Sequence, residues 1–187
     1  MKFDNAALIL VDIQNDFCPG GALAVREGDQ VVPVVNRLIP KFPVVVATQD
    51  WHPPNHCSFK IWPPHCVQNT PGAELHPALD KSRITFSARK AFTREADAYS
   101  GFSGVDEAGR GLDDLLRKRG IKRLYLVGLA TDYCVRATVL DGLKLGYEVN
   151  VITDGVRAVN VKPDDGATAL DEMARTGAKL VVSASLL

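Results

Sequence analysis

Apolar residues along this chain come in short uninterrupted runs rather than in strict alternation. Ala6–Val11, Pro43–Thr48, Ile84–Phe86, Leu124–Val127, Glu148–Thr153 and Lys179–Val182 are the six places where they concentrate. A continuous apolar run of that length predicts a strand covered on both faces, as in a parallel sheet. Between the runs lie segments with helical spacing. Val31–Ile39 has Asp29 as its expected N-cap and Pro33 in its first turn, and Leu112–Arg119 is stopped by Gly120. A third helix runs from near Asp132 to Gly146, and a fourth, Asp164–Arg175, stops at Gly177. Gln14–Gly21, Trp51–Pro77 and Arg94–Gly111 are polar or rich in proline and lack periodicity, so they are expected as loops. Strand and helix alternate, which predicts an α/β fold with a mainly parallel sheet in one domain over residues 1–187. No internal repeat or low-complexity segment breaks the pattern.

In such sheets ligands bind beyond the carboxyl ends of the strands. Asp12, Asp50, Lys90 and Cys134 each fall just past a different apolar run. That coincidence of chemically useful residues at equivalent places marks one end of the sheet as the candidate site. No GxGxxG follows a strand and no GxxxxGK[ST] occurs, which counts against dinucleotide and P-loop chemistry. Lys plus Arg equals Asp plus Glu at 22 each, so a nucleic-acid partner has no electrostatic support. The first apolar run carries an acid at its end and is too short for a signal peptide or a membrane span. With no export signal, Cys18, Cys57, Cys66 and Cys134 are expected as free thiols in a reducing cytoplasm.

Leu124–Gly146 sets Cys134 in the first turn of a helix that follows a strand and a sharp turn. Thr131 is the expected N-cap. The positive end of the helix favours a thiolate there, and free backbone N–H groups offer a place for an oxyanion. Cys134 is then a nucleophile; the alternative is a buried, inert cysteine. A nucleophilic thiol needs a proton acceptor, and Asp12 is the best placed carboxylate. Asp16 is its rival but lies farther from the strand end and suits a turn. Lys90 can offset the negative charge of Asp12 and the thiolate. Taken singly, Asp12 also suits a cap or loop ion pair, and Lys90 an exposed surface lysine.

All four histidines lie between Asp50 and His76. Asp50 and His52 are two apart at a strand end, so both side chains can face one side. His56 and His65 follow on the loop. One carboxylate with two or three imidazoles suits zinc, iron or manganese with positions open for substrate. A structural zinc site drawing on Cys57 and Cys66, or polar loop histidines without metal, are the alternatives.

Five segments, VDIQNDFC at 11–18, QDWHP at 49–53, WPPHCV at 62–67, AYSGF at 98–102 and GLATDYCV at 128–135, resemble the nicotinamidase family of isochorismatase-like hydrolases. The resemblance runs in order from about residue 6 to about 160 and implies a three-layer α/β/α domain with a six-stranded, mostly parallel sheet. It implies hydrolysis of nicotinamide to nicotinate and ammonia in NAD salvage, with pyrazinamide as a further substrate, through a cysteine thioester. Asp12, Lys90 and Cys134 match the catalytic triad; Asp50, His52 and His65 match the ligands of one divalent metal, zinc first, with iron or manganese as alternatives. His56 matches a position that ligates in some members. A cis peptide is implied at Leu129–Ala130, with the Ala130 and Cys134 N–H groups as oxyanion hole. Phe17, Trp62, Tyr99 and Leu129 are the implied substrate-binding residues, although Phe17 also suits ordinary core. The implied partner is small-molecule nicotinamide, with neither nucleic acid nor membrane involved; self-association into a homo-oligomer stays open. Two departures stand out: Ala91 replaces a frequent glycine, and the Ser58–Trp62 link is short, which predicts a smaller lid.

Overall fold

The computed structural model describes residues 3–187. Six strands, β1 (Ala6–Val11), β2 (Val44–Asp50), β3 (Phe86–Lys90), β4 (Arg123–Leu129), β5 (Glu148–Arg157) and β6 (Lys179–Val181), form one sheet in the order 3-2-1-4-5-6. Every pairing is parallel. Four helices connect them: α1 (Val31–Leu38), α2 (Leu112–Lys118), α3 (Arg136–Lys144) and α4 (Asp165–Thr176). The predicted α/β class and sheet are therefore observed.

Both faces of the sheet are covered, which is why the strands appear as unbroken apolar runs. Ala6, Leu8 and Leu10 of β1 pack with α1 through Val31, Val35 and Leu38. Ala7, Ile9 and Val11 face the other way, towards Leu112 and Leu116 of α2, Val139 of α3 and Met173 of α4. α1 thus lies on one face and α2, α3 and α4 on the other.

Several expected boundaries move. β3 begins at Phe86 and includes Lys90, whereas the short apolar run had placed the strand at Ile84–Phe86. β5 extends to Arg157, well past the expected end at Thr153, with a register shift against β4 between Leu126 and Gly128. Asp29 does not cap α1. It sits inside a tight turn, Gly28–Gln30, that runs straight into the helix, and Gln30 at the cap position makes no side-chain cap bond.

The strand order reverses between β1 and β4, so the chain leaves these neighbours towards opposite faces. A crevice opens at their carboxyl ends, the usual ligand position in such sheets. Gly128 lets β4 approach β1 closely beside Val11. Its φ is +115°, and a Cβ there would lie 2.0 Å from the Val11 carbonyl oxygen. Only glycine permits both the conformation and the approach.

Candidate active site

Asp12 follows β1 directly and is fully buried with a left-handed φ of 47°. Its Oδ1 accepts a 2.6 Å hydrogen bond from the Thr48 hydroxyl, and the same hydroxyl accepts from the Asp12 N–H at 3.3 Å. Oδ2 has no hydrogen-bonding partner among the described residues, although the Lys90 ammonium stands 3.0 Å away. Lys90 ends β3 and has no solvent exposure. Its Nζ also pairs with Asp50 Oδ1, donates to the Ala98 carbonyl at 3.1 Å and reaches Cys134 Sγ at 3.5 Å. Asp12, Asp50 and Cys134 offer acceptor atoms that all lie within 4.8 Å of one another. A buried ammonium therefore sits amid two carboxylates and a thiol.

Burial alone would neutralise Lys90, but Asp12 and Asp50 outweigh it and hold the side chain as ammonium well above the usual range. Asp50 is likewise opposed by burial, yet the Lys90 ammonium keeps it ionised below the usual carboxylate range. Asp12 goes the other way: burial, aided by Asp50, raises it despite Lys90. Cys134 is pushed well above an ordinary thiol by burial and by both carboxylates, with Lys90 opposing.

The last point corrects the expectation of a helix-activated thiolate. Cys134 does not begin a regular helix. Thr131–Val135 forms one wide turn in which Val135 N–H bonds the Ala130 carbonyl five residues back at 3.1 Å, and α3 starts only at Arg136. Thr131 is not a cap either. Ala130 holds that position, and no side chain caps the turn. The resting cysteine is a neutral thiol, and its activation has to come from a proton acceptor rather than from a helix end. The Leu129–Ala130 peptide bond just before the turn is cis.

The second cluster lies beside the first. Asp50 ends β2; its Oδ1 faces Lys90, and its Oδ2 lies 3.7 Å from His52 Nε2. His52 Nδ1 is 3.2 Å from the Ala91 carbonyl, and His65 Nδ1 is 2.7 Å from that of Pro63. A carbonyl can only accept, so each proton is assigned to Nδ1, and each Nε2 keeps its lone pair. Burial also holds His65 below the usual imidazole range and therefore neutral. Ligand atoms of Asp50, His52 and His65 all lie within 4.8 Å of one another, and all three residues are buried. Carbonyl-anchored Nδ1–H groups behind converging Nε2 atoms and a carboxylate are what a divalent metal of the zinc type requires. The donors present therefore fit such an ion.

His56 stands apart from this group. Its Nδ1 accepts from the Ser58 N–H and hydroxyl at 3.2 and 2.7 Å, and its Nε2 donates to the Ala96 carbonyl at 3.1 Å. Both nitrogens are committed, and the ring stacks on His52 with centroids 4.2 Å apart. Ala91, at the frequent glycine position, has a left-handed φ of 52°, the conformation that glycine adopts without cost.

A narrow cleft that opens partly to solvent is lined by Cys134 of the first cluster and by Asp50, His52 and His65 of the second. Phe17, Trp62 and Tyr99 wall it, along with Asp50, His52, His65, Ala130 and Cys134. Phe17 serves cleft and core together, with its ring 5.5 Å from that of His65. Leu129 departs from expectation. Its side chain is fully buried in the core, near Gly28, and is absent from the cleft wall. Tyr133, the third residue of the wide turn, was missed: it packs edge-on against Trp62 at 5.3 Å and lies 5.7 Å from Tyr99, completing an aromatic rim. Its place next to Cys134 was the available signal. Thr48, hidden inside an apolar run, gave none.

Fold and site together define a class: a doubly wound α/β protein with a buried cysteine–carboxylate–ammonium cluster at its switch point and a carboxylate–bis-imidazole group beside it. Residues 6–185 match the isochorismatase domain, and the chain belongs to that family. It is 50% identical over 200 residues to the nicotinamidase of Escherichia coli, covering 93% of each chain. It is 43% identical over 188 residues to the nicotinamidase/pyrazinamidase of Mycobacterium tuberculosis, covering 95% of this chain and 98% of that protein. A crystal structure of the pyrazinamidase of Pyrococcus horikoshii in complex with zinc superposes with a TM-score of 0.85 at 48% identity, covering 95% of this chain and 99% of that one.

Proposed function

We propose that this chain hydrolyses nicotinamide to nicotinate and ammonia, and pyrazinamide in the same way, with Cys134 as nucleophile. The observation that carries the reading is the convergence of Lys90 Nζ and Asp12 Oδ2 on Cys134, which lines an aromatic-walled cleft.

Burial raises Asp12, so the carboxylate is a stronger base towards the Cys134 thiol than an exposed one would be. Passing the thiol proton to Asp12 Oδ2 leaves the net charge of the cluster unchanged. Negative charge only moves from oxygen to sulfur beside a fixed ammonium. The thiolate then attacks the carboxamide carbon, and the oxyanion takes hydrogen bonds from the Ala130 and Cys134 N–H groups. Asp12 returns its proton to the amide nitrogen, the C–N bond breaks, and ammonia leaves a nicotinoyl thioester. Asp12 next removes a proton from water, whose oxygen attacks the thioester carbon. The C–S bond breaks, and Asp12 reprotonates the departing thiolate, releasing nicotinic acid, which ionises. Phe17, Trp62 and Tyr99 hold the flat ring and exclude bulk water.

Asp50, His52 and His65 would hold one divalent metal, zinc in our reading, which supplies a Lewis-acid contact for the pyridine nitrogen and so helps orient the ring. Support for zinc comes from the two-nitrogen, one-oxygen donor set and the zinc complex of the P. horikoshii relative. The four free thiols suit a reducing cytoplasm, and no helix among the described residues is long and apolar enough to cross a membrane.

The test is release of ammonia and nicotinate from nicotinamide, and of the corresponding acid from pyrazinamide, before and after chelation. Release that is lost on chelation and restored by zinc is expected. Metal-replete, folded protein that leaves both amides intact would sink the reading.

A further inference from the structure

The loop that leaves β1 after Asp12 is bonded to the candidate ligands themselves. Gln14 is fully buried, and its side-chain amide pairs with both main-chain groups of Asp50. Oε1 accepts from Asp50 N–H at 2.8 Å and Nε2 donates to Asp50 C=O at 2.8 Å. In a parallel ladder the N–H and C=O of one residue face the same neighbour. The Gln14 amide therefore continues the β1 side of the ladder after β1 itself has turned away.

Asp16 does something similar one step further out. Its Oδ2 accepts from the Cys66 N–H at 2.7 Å, and Oδ1 accepts from the Ala22 N–H at 3.2 Å. Cys66 has a left-handed φ of 45°, unusual for a residue with a Cβ, and directly follows His65. Its carbonyl accepts from the His52 N–H at 3.0 Å. Cys66 thus links the two imidazole-bearing segments through its carbonyl, and a carboxylate anchors its N–H. The fit is close: a Cβ on Gly72 would lie 2.1 Å from Asp16 Oδ2. Asn15, between the two, bonds Glu74, Pro71 and Cys18, and none of these bonds reaches the segments that carry Asp50, His52 and His65.

We propose that Asp16 is a positioning residue of the metal centre, acting through the Cys66 main chain to set the spacing of His52 and His65. The proposal rests on Asp50, His52 and His65 being the ligands. Losing an outer partner of this kind typically lowers metal affinity by about 10–100-fold.

Metal-depleted protein is titrated with zinc against a chromophoric chelator, and the visible spectrum of the cobalt(II)-loaded protein reports ligand geometry. Asp16→Ala is expected to weaken zinc binding by roughly 10–100-fold and to alter the cobalt bands. Asp16→Asn, whose amide oxygen can still accept from Cys66, should fall between it and the parent, and it carries the test if the alanine variant does not fold. Asn15→Ala should bind zinc as the parent does. Parent-like zinc affinity and cobalt bands in the Asp16 variants, with only a lowered melting temperature, would overturn the proposal. So would an equal loss of affinity in Asn15→Ala. His52→Ala separates the two layers. If it binds zinc normally, the ligand assignment fails and the proposal with it; if it loses zinc while Asp16→Ala keeps it, the proposal alone fails.

Discussion

Replacing Lys90 with methionine keeps the unbranched stem and removes the charge. Lys90 and Asp12 side chains have 0% exposure and that of Asp50 has 7%, so water cannot take over from the ammonium. The Asp12 pair alone, at 3.0 Å, has a gross Coulomb attraction of about 5 kcal/mol at an effective dielectric constant near 20. Relief from burying the lysine charge offsets part of that. The expected net loss is about 3–5 kcal/mol, the usual range for stripping one partner from a buried pair. The loss has a definite pH dependence. In the parent, Asp50 is held below the usual carboxylate range, so its contribution is present above the unfolded pKa and survives until the pH drops through the folded one. Asp12, already raised, contributes stability below its unfolded pKa that fades as the pH climbs through the folded value. Without Lys90 both carboxylates are raised, so the variant gains stability relative to the parent as the solution becomes more acidic. One extra proton is worth about 1.4 kcal/mol per pH unit. Urea melts of metal-depleted parent and variant at pH 8 and pH 5 read the difference directly. The deficit should be largest at pH 8 and at least halved at pH 5. A deficit under about 1 kcal/mol at pH 8, or one equal at the two pH values, would refute the reasoning.

Two further predictions concern the chemistry. Cys134→Ala should abolish nicotinamide turnover while leaving bound zinc unchanged by metal analysis, because the sulfur is no ligand in the Asp50–His52–His65 group; retained turnover would remove the thioester route. Thr48→Val deletes the 2.6 Å hydrogen bond that favours ionised Asp12, so the acid limb of the kcat/KM profile should move to higher pH, with more activity lost at pH 6 than at pH 8. A profile that keeps the parent's acid limb would argue against Asp12 as the titrating base.

The chain's local pattern determined the architecture and the types of chemistry. Strands covered on both faces must be apolar throughout, so β1, β2 and β4 are visible as runs, and the residues at their ends mark the mouth of the sheet. The donors Asp50, His52 and His65 are legible because they cluster in sequence, and Asp12, Lys90 and Cys134 because each lies at or beyond the end of a different strand. Only the tertiary structure decided the charge states. Cys134 is raised, not lowered, because burial and the carboxylates of Asp12 and Asp50 outweigh Lys90, and no local spacing records that company. Gln14, Asp16 and Thr48 act on partners 36 to 50 residues away, contacts that exist only once β1 and β2 lie side by side. Leu129 turns inward for a related reason: β4 is buried on both faces to its last residue, so a side chain there meets the core before it can meet a ligand.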